Sequence, residues 1–150
     1  MITILCVGKI KELYLKDMID DYSKRISKYH KLNILELKDS NIINEEIEIM
    51  NHLKKDSYKI ALDIKGTKYT SLSFAKMIND TFIHNSNITF IIGGSNGIGD
   101  NVKKICNDLI SFSDMTFPHG LFRAILLEQI YRSFKINNNE NYHKWRWKHE

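Results

Sequence analysis

Ile88-Thr-Phe-Ile-Ile92 runs directly into Gly93-Gly-Ser-Asn-Gly-Ile-Gly99, and this junction decides the fold. Five β-branched or aromatic residues in a row favour an extended strand, and the glycines that end it abruptly mark a loop. Upstream, Thr3 to Val7 is another apolar run, closed by Gly8. Asn33 to Leu37 and Tyr58 to Ile64 are two more, the latter closed by Lys65-Gly66. Between these runs the apolar period changes to that of a helix. Tyr14, Met18, Ile19, Tyr22, Ile26 and Tyr29 recur at helical spacing, and Ile43, Ile47, Met50 and Leu53 do the same within the polar window Asp39 to Lys55. Phe74, Ala75, Ile78 and Phe82 follow Ser71, which stands where an N-cap would. Downstream, the pattern predicts a helix over Asp100 to Leu109, a strand at Ile110 to Ser113, a loop from Asp114 to Gly120 and a long helix over Leu121 to Phe134. Strands separated by helices imply βαβ units, so the expected class is α/β: a mostly parallel sheet with helices on both faces.

A chain of 150 residues, 43% of them apolar, suits a single domain over 1–150, and with Pro118 the only proline no linker is visible. Twenty-two Lys and Arg against eighteen Asp and Glu give a net charge of +4, a mild excess that points only weakly to nucleic acid. The excess is concentrated after His119, where Arg123, Arg132, Lys135, Lys144, Arg146 and Lys148 face only Glu128, Glu140 and Glu150. No apolar run approaches membrane-spanning length, and Met1 leads straight into strand residues without a signal-peptide pattern, so a soluble cytoplasmic protein is expected. Cys6 and Cys106 lack CxxC spacing and sit in apolar patterns, which reads as buried thiols rather than a disulfide. His30, His52, His84, His119, His143 and His149 form no HExxH or similar ligand spacing, so no metal is expected.

Ligands of open parallel sheets bind beyond the carboxyl ends of the strands. Three loops qualify: Asp63 to Lys68, Gly93 to Gly99, and Ser113 to Gly120. The middle one fails as a phosphate cradle, because Asp100-Asn101 follows Gly99 where a Walker A loop needs Lys-Ser or Lys-Thr, and GxGxxG is absent. Its glycines serve either a tight turn or close backbone approach to a ligand. GGSNG is also no GxSxG elbow, which leaves a serine hydrolase unsupported. The segment from Phe112 to Gly120 mixes Phe112, Met115 and Phe117 with Ser113, Thr116 and His119. It reads either as core packing ahead of a helix begun by Pro118 or as a pocket for an adenine ring and a thioether. The ending Tyr142-His-Lys-Trp-Arg-Trp-Lys-His-Glu150 alternates rings with cations, a composition that suits stacking on unpaired bases and holding phosphates, or is incidental to a terminus.

Taken together these segments resemble one family, the large-subunit ribosomal RNA methyltransferase H family, pseudouridine N3-methyltransferases of the SPOUT class. The resemblance rests on Ile4-Leu-Cys-Val-Gly-Lys9, Tyr22-Ser-Lys-Arg25, Ala61-Leu-Asp-Ile-Lys-Gly66, Phe90-Ile-Ile-Gly-Gly-Ser-Asn-Gly97, Leu109 through His119, Glu128-Gln-Ile-Tyr-Arg132 and Tyr142-His-Lys144, all in one order. The chain departs from the family in a shorter stretch between Leu37 and Tyr58 and in the added Trp145 to Glu150.

The resemblance, and not the strand pattern, implies a trefoil knot near the C-terminus, since knots are almost absent from proteins. It also implies that S-adenosylmethionine is held by Leu62, by Gly93 and by Phe112, Ser113, Asp114, Met115, Thr116 and Phe117. A homodimer is implied, in which the basic aromatic tail, residues 142–150, helps complete the partner's site. The implied reaction is methylation at ring N3 of a pseudouridine in the helix 69 loop of 23S ribosomal RNA, with the assembled ribosome favoured as substrate. His143 is the first candidate to remove the imide proton or position the base, with Tyr142 stacking or hydrogen bonding beside it. Arg123 and His119 are candidates to orient the RNA or stabilise charge on the base; a helix-surface arginine and a capping histidine are the plain alternatives. Two other readings stand beside this one: a SPOUT enzyme acting on transfer RNA, and a non-catalytic ribosome-binding module.

Overall fold

The computed structural model describes residues 1–143. Its strands are β1 (Ile2–Val7), β2 (Leu32–Leu37), β3 (Ser57–Lys68), β4 (Asn87–Ile92) and β5 (Asp108–Ser111). They form one sheet in the order β2-β1-β4-β3-β5, and every neighbouring pair is parallel. The helices are α1 (Leu13–Ser27), α2 (Ile42–His52), α3 (Ser71–His84), α4 (Asp100–Ile105) and α5 (His119–Asn137). The α/β class expected from the strand and helix periods is the one observed.

Parallel sheets are covered on both faces, which is why the inner strands are apolar throughout rather than alternating. Ile4, Cys6, Ile60, Phe90 and Ile92 project into the larger core beneath α1, α3 and α5. Leu5, Val7, Ala61 and Ile91, the intervening positions, project into a smaller core with Ile49 of α2 and Val102 of α4. α5 lies between α1 and α3 and buries Ala124, Leu126, Leu127, Ile130 and Phe134. The apolar side of α5 therefore serves the core of its own chain. Burial also pushes the Cys6 and Cys106 thiols up to about 11, so both stay protonated at neutral pH, and neither is in a disulfide.

Several details differ from the periodic pattern. β3 does not stop at Lys65-Gly66; Leu62 and Thr67 both pair with Ile110, so the residues between them bulge out of the strand before it resumes. Gly66 passes so close to β5 that a Cβ there would lie 2.6 Å from the Ile110 nitrogen, and no other residue fits. In α1 the buried side carries Leu15, Ile19 and Ile26, while Tyr14 and Met18 face outward. In α2 the buried side carries Glu45 and Ile49, leaving Ile43 68% exposed and Ile47 and Met50 exposed as well. Ile49 packs into the smaller core, and the Glu45 carboxylate on the same side accepts the Ser40 N–H at 2.8 Å. Thr70, not Ser71, caps α3, in a reciprocal capping box with Ser73. α4 is shorter than expected, because the Asn107 N–H bonds to the Lys59 carbonyl and the chain enters β5 at Asp108.

Arg123 is the least expected placement. It is 2% exposed within α5, donates through Nη1 to Glu36 of β2 at 2.6 Å and through Nη2 to the Gly8 carbonyl at 3.0 Å. This ion pair ties α5 to the far side of the sheet and to the turn after β1, and it leaves no guanidinium surface for an external partner. The pair is one-sided, since the Arg123 side chain is 2% exposed and the Glu36 side chain 36%, so losing Arg123 leaves the carboxylate to water. Arg123→Ala, which also deletes a buried side chain and its hydrogen bond to the Gly8 carbonyl, is expected to lower stability by about 1–3 kcal/mol in urea unfolding, against about 0.5 kcal/mol or less for the exposed helix control Lys76→Ala.

Candidate functional site

Because all strands run the same way, the loops after β3, β4 and β5 meet at one edge of the sheet. The bulge of β3 supplies Leu62, Asp63 and Ile64 to a cavity of about 140 Å³, and the segment after β5 supplies Ser111, Phe112, Ser113, Met115, Thr116 and Phe117. Ile110 and Phe122 complete its walls. A second cavity of about 240 Å³, between α3 and α5, is lined by Tyr69, Thr70, Ser71, Phe74, Ile125 and Gln129 and shares Phe112 and Phe117 with the first. Neither space alone reaches the roughly 300 Å³ of a cofactor-sized pocket, and the two adjoin at the Phe112 and Phe117 rings. Phe112 packs edge-on against both Phe74 and Phe122, and Phe117 stacks on Phe122. The aromatic wall is thus held by α3 and α5. Ion pairs set the loops: Lys68 holds Asp114 at 2.5 Å, and Lys103 of α4 holds Asp63 at 3.4 Å.

The structure brings Leu62, Phe112, Ser113, Met115, Thr116 and Phe117 to one cavity. Asp114 stands just outside it in its pair with Lys68. Gly93 follows the end of β4, and its need for glycine is internal: a Cβ there would lie 2.5 Å from the Gly97 carbonyl oxygen. The Gly94–Gly97 bridge closes this loop on itself, with Gly97 at φ +74°. At the start of α4, where phosphate-binding loops leave amides free, the Glu46 carboxylate from α2 accepts the Asn101 N–H at 2.9 Å, the Asn101 side-chain amide at 2.9 Å and the Val102 N–H at 3.4 Å. A side chain at Gly99 would collide with that same carboxylate. The failure of this loop as a phosphate cradle has a structural cause: the protein's own acid occupies the place of the anion.

A second cluster lies at the other end of α5. Arg132 donates through Nε to both Glu128 carboxylate oxygens at 3.0 and 3.1 Å and through Nη1 to Nδ1 of His143 at 2.8 Å. Burial works against the Arg132 cation, yet the Glu128 hydrogen bond and charge outweigh it and raise its pKa. Tyr142 sets its ring edge on Tyr131 with centroids 4.7 Å apart, lies 4.9 Å below the Arg132 guanidinium, and reaches Glu128 at 3.4 Å and Tyr22 at 3.5 Å through its hydroxyl. Burial, then the Tyr22 hydrogen bond and the Glu128 charge, push the Tyr142 phenol up, so it remains protonated. With one face under the Arg132 guanidinium, an edge contact to Tyr131 and its hydroxyl near Glu128 and Tyr22, Tyr142 is anchored against α5 and α1. His119 is exposed at the first turn of α5, beside the cavity loop, and makes no capping hydrogen bond.

Sequence reasoning missed Arg132 and Glu128 as site residues, although both stand in the segment that carried the family resemblance. Their i,i+4 spacing on a helix was the available signal. Glu46 gave none, since its partners come from residues 55 or more positions away. Among the described residues no cluster of His, Cys, Asp and Glu has the makings of a metal site, and no helix is long and apolar enough to cross a membrane. Lys144, Arg146, Lys148 and the tryptophans of the tail lie outside the described residues.

Comparison with known proteins adds the following. A family model described as predicted SPOUT methyltransferase matches residues 1–143. A protein of Methanococcus maripaludis strain C5, provisionally named ribosomal RNA large subunit methyltransferase H, is 55% identical, with 95% of this chain and 99% of the relative covered. Proteins of the same name from Clostridium botulinum strains Eklund 17B and Kyoto are 48% and 50% identical over the same shares. Among solved structures, the SpoU methyltransferase AviRb of Streptomyces viridochromogenes, in complex with AdoMet, superposes with a TM-score of 0.50 at 9% identity, a likeness of fold alone. The aligned region takes in 88% of this chain and 57% of that one.

The Glu46 contact carries its own test. Glu46→Ala should weaken the start of α4 and the Gly93–Gly99 loop by about 1–3 kcal/mol, seen as faster amide hydrogen exchange confined to those residues. Glu46→Gln, which keeps an acceptor, should lose less.

Proposed function

The chain belongs to the ribosomal RNA large subunit methyltransferase H family of SPOUT methyltransferases, and on that premise we propose that it methylates large-subunit ribosomal RNA with S-adenosylmethionine as the methyl donor. The observation that carries the donor assignment is the cavity at the carboxyl edge of β3 and β5. Leu62, Ile110, Phe112, Phe117 and Phe122 offer the apolar walls that an adenine ring and a thioether require, and Ser111, Ser113 and Thr116 offer hydroxyls and main-chain groups for the polar ends. When bound, S-adenosylmethionine supplies a methyl group whose bond to sulfur breaks, the electron pair staying on sulfur, as a bond to the acceptor nitrogen forms. The chain's own residues have to hold the two reactants in line and assist loss of the acceptor's proton, which passes to water.

The finer reading is that the acceptor is ring N3 of a pseudouridine in the helix 69 loop of 23S ribosomal RNA, presented on the assembled ribosome. It rests on family membership and on the chemistry of the tail. In the same reading the loops around the cavity are those of a C-terminal trefoil knot, and Gly93 and Asp114 shape the donor site from its margin. His119, exposed beside the cavity, is placed to meet the RNA.

A homodimer is part of this reading, and where the two clusters sit supports it. Phe122 walls the cavity, whereas Arg132 and His143 lie further along the same helix, roughly 15 Å away at about 1.5 Å per residue. His143 therefore stands apart from the first cavity, while the second cavity extends toward it through Gln129, which donates to Glu128 at 3.1 Å. The half-buried stripe Leu121, Ile125, Glu128 and Arg132 runs between the two ends of α5. A two-fold axis across that stripe would place each tail cluster at the partner's cavity.

Donor binding should appear in calorimetry and survive EDTA. Methyl transfer to unmodified ribosomes, followed by nucleoside mass spectrometry, should yield N3-methylpseudouridine; methylated transfer RNA instead, or donor binding with no transfer, would replace the substrate or the enzymatic reading respectively. Sedimentation should give a dimer at micromolar concentration. Deletion from Tyr142 onward should abolish transfer while leaving donor affinity nearly unchanged, and full turnover by the truncated chain would move the chemistry back to His119.

A further inference from the structure

His143 was expected to remove a proton or to position the base, and its surroundings favour the second. Arg132 Nη1 lies 2.8 Å from His143 Nδ1. A guanidinium has donors and no acceptor, so in this contact Nδ1 must supply a lone pair and carry no hydrogen. The single ring proton of a neutral imidazole then resides on Nε2. Arg132 is itself fixed in that orientation, with Nε on both oxygens of Glu128 and its plane against the Tyr142 ring. The pair is also sheltered, Arg132 and Glu128 side chains being only 20% and 18% exposed.

We propose that Arg132 is a positioning residue that locks His143 in its Nε2–H tautomer, and that His143 presents this N–H as a hydrogen-bond donor to a carbonyl oxygen of the pyrimidine being methylated. The proposal rests on the functional reading above, in which the tail meets the acceptor base. Ring N3 of such a base is an imide nitrogen flanked by two carbonyls. As its proton departs to water, negative charge spreads onto both oxygens, and a preorganised donor at one of them stabilises that charge. The cation behind the ring strengthens the donor, because the Glu128–Arg132–His143 chain polarises in one direction. Acting as a base would require the reverse. A base at Nε2 needs that nitrogen bare, which puts the neutral ring's proton on Nδ1, against a guanidinium that can only donate.

Two measurements decide this on the full-length protein. In nitrogen-15 spectra correlating ring protons with both ring nitrogens, with His143 assigned by comparison with His143→Gln, the wild type should show a protonated Nε2 and a bare Nδ1, and Arg132→Ala should lose that preference. A proton on Nδ1 would overturn the proposal. In methyl transfer to ribosomes, His143→Gln, whose amide N–H occupies the place of Nε2, should stay within roughly tenfold of wild type, whereas His143→Ala should fall by about 10²- to 10³-fold, the usual cost of a lost charge-stabilising donor. Equal loss in both variants would sink the donor role. If the wild type transfers no methyl group to ribosomes, the donor role falls with the functional reading, while the tautomer measurement still judges the Arg132 contact by itself.

Discussion

Backbone hydrogen bonding of β3 to β4 on one side and β5 on the other is the constraint from which the site follows. A strand paired on both edges has no freedom to bend away, so extra residues between Leu62 and Thr67 have nowhere to go but out of the sheet at its carboxyl end. That excursion meets the loop leaving β5, and Gly66 lets the strand return at backbone contact distance. The cavity is the space left between the two. Parallel pairing throughout puts the Gly93–Gly99 turn at the same edge, and the aromatic wall of Phe112, Phe117 and Phe122 closes it from the side of α5.

Charge holds this edge in shape from within the chain. Lys68 with Asp114, Lys103 with Asp63, and Glu46 at the start of α4 each join segments distant in sequence. The Lys68–Asp114 pair is exposed and contributes little to stability, so its value lies in orienting the loop. Glu46 is different in kind, since three donors converge on it and the glycine at position 99 exists to give it room. Preorganised loops suit a reaction whose main demand is alignment of two reactants.

α5 connects these two regions. Its N-terminal half walls the cavity, its buried side fills the core between α1 and α3, and Arg123 pins it to β2; its C-terminal half carries the Glu128–Arg132 pair that receives His143. The first cavity and the tail cluster therefore lie toward opposite ends of one helix, with the second cavity reaching between them as far as Gln129. The Arg25 and Lys135 cations over the Tyr22, Tyr29 and Tyr131 rings extend the tail cluster along α1 and show how densely the aromatic and basic residues of this end are interleaved.

The strands, their order along the chain, the loops after β4 and β5 and most cavity-lining residues were legible in the sequence, because apolar period and glycine placement are local signals; the expected loop Asp63 to Lys68 is instead a bulge within β3. The family, too, was legible, from many short segments in one order. What was not legible depends on partners far away in sequence. Periodicity marked Ile43, Ile47, Met50 and Leu53 as the apolar side of α2, and only the packing of Ile49 into the smaller core showed that Glu45 and Ile49 lie on the buried side. It could not tell that Arg123 turns inward, since its acceptors stand on β2 and at Gly8. The tail residues His143 and Tyr142 were picked out by composition, yet their setting against Arg132, Glu128 and Tyr22 belongs to the packing of α1 on α5. Residue types decided what chemistry was available; the tertiary contacts decided which nitrogen of His143 can carry the proton, because a hydrogen bond from a group that can only donate leaves its acceptor no choice.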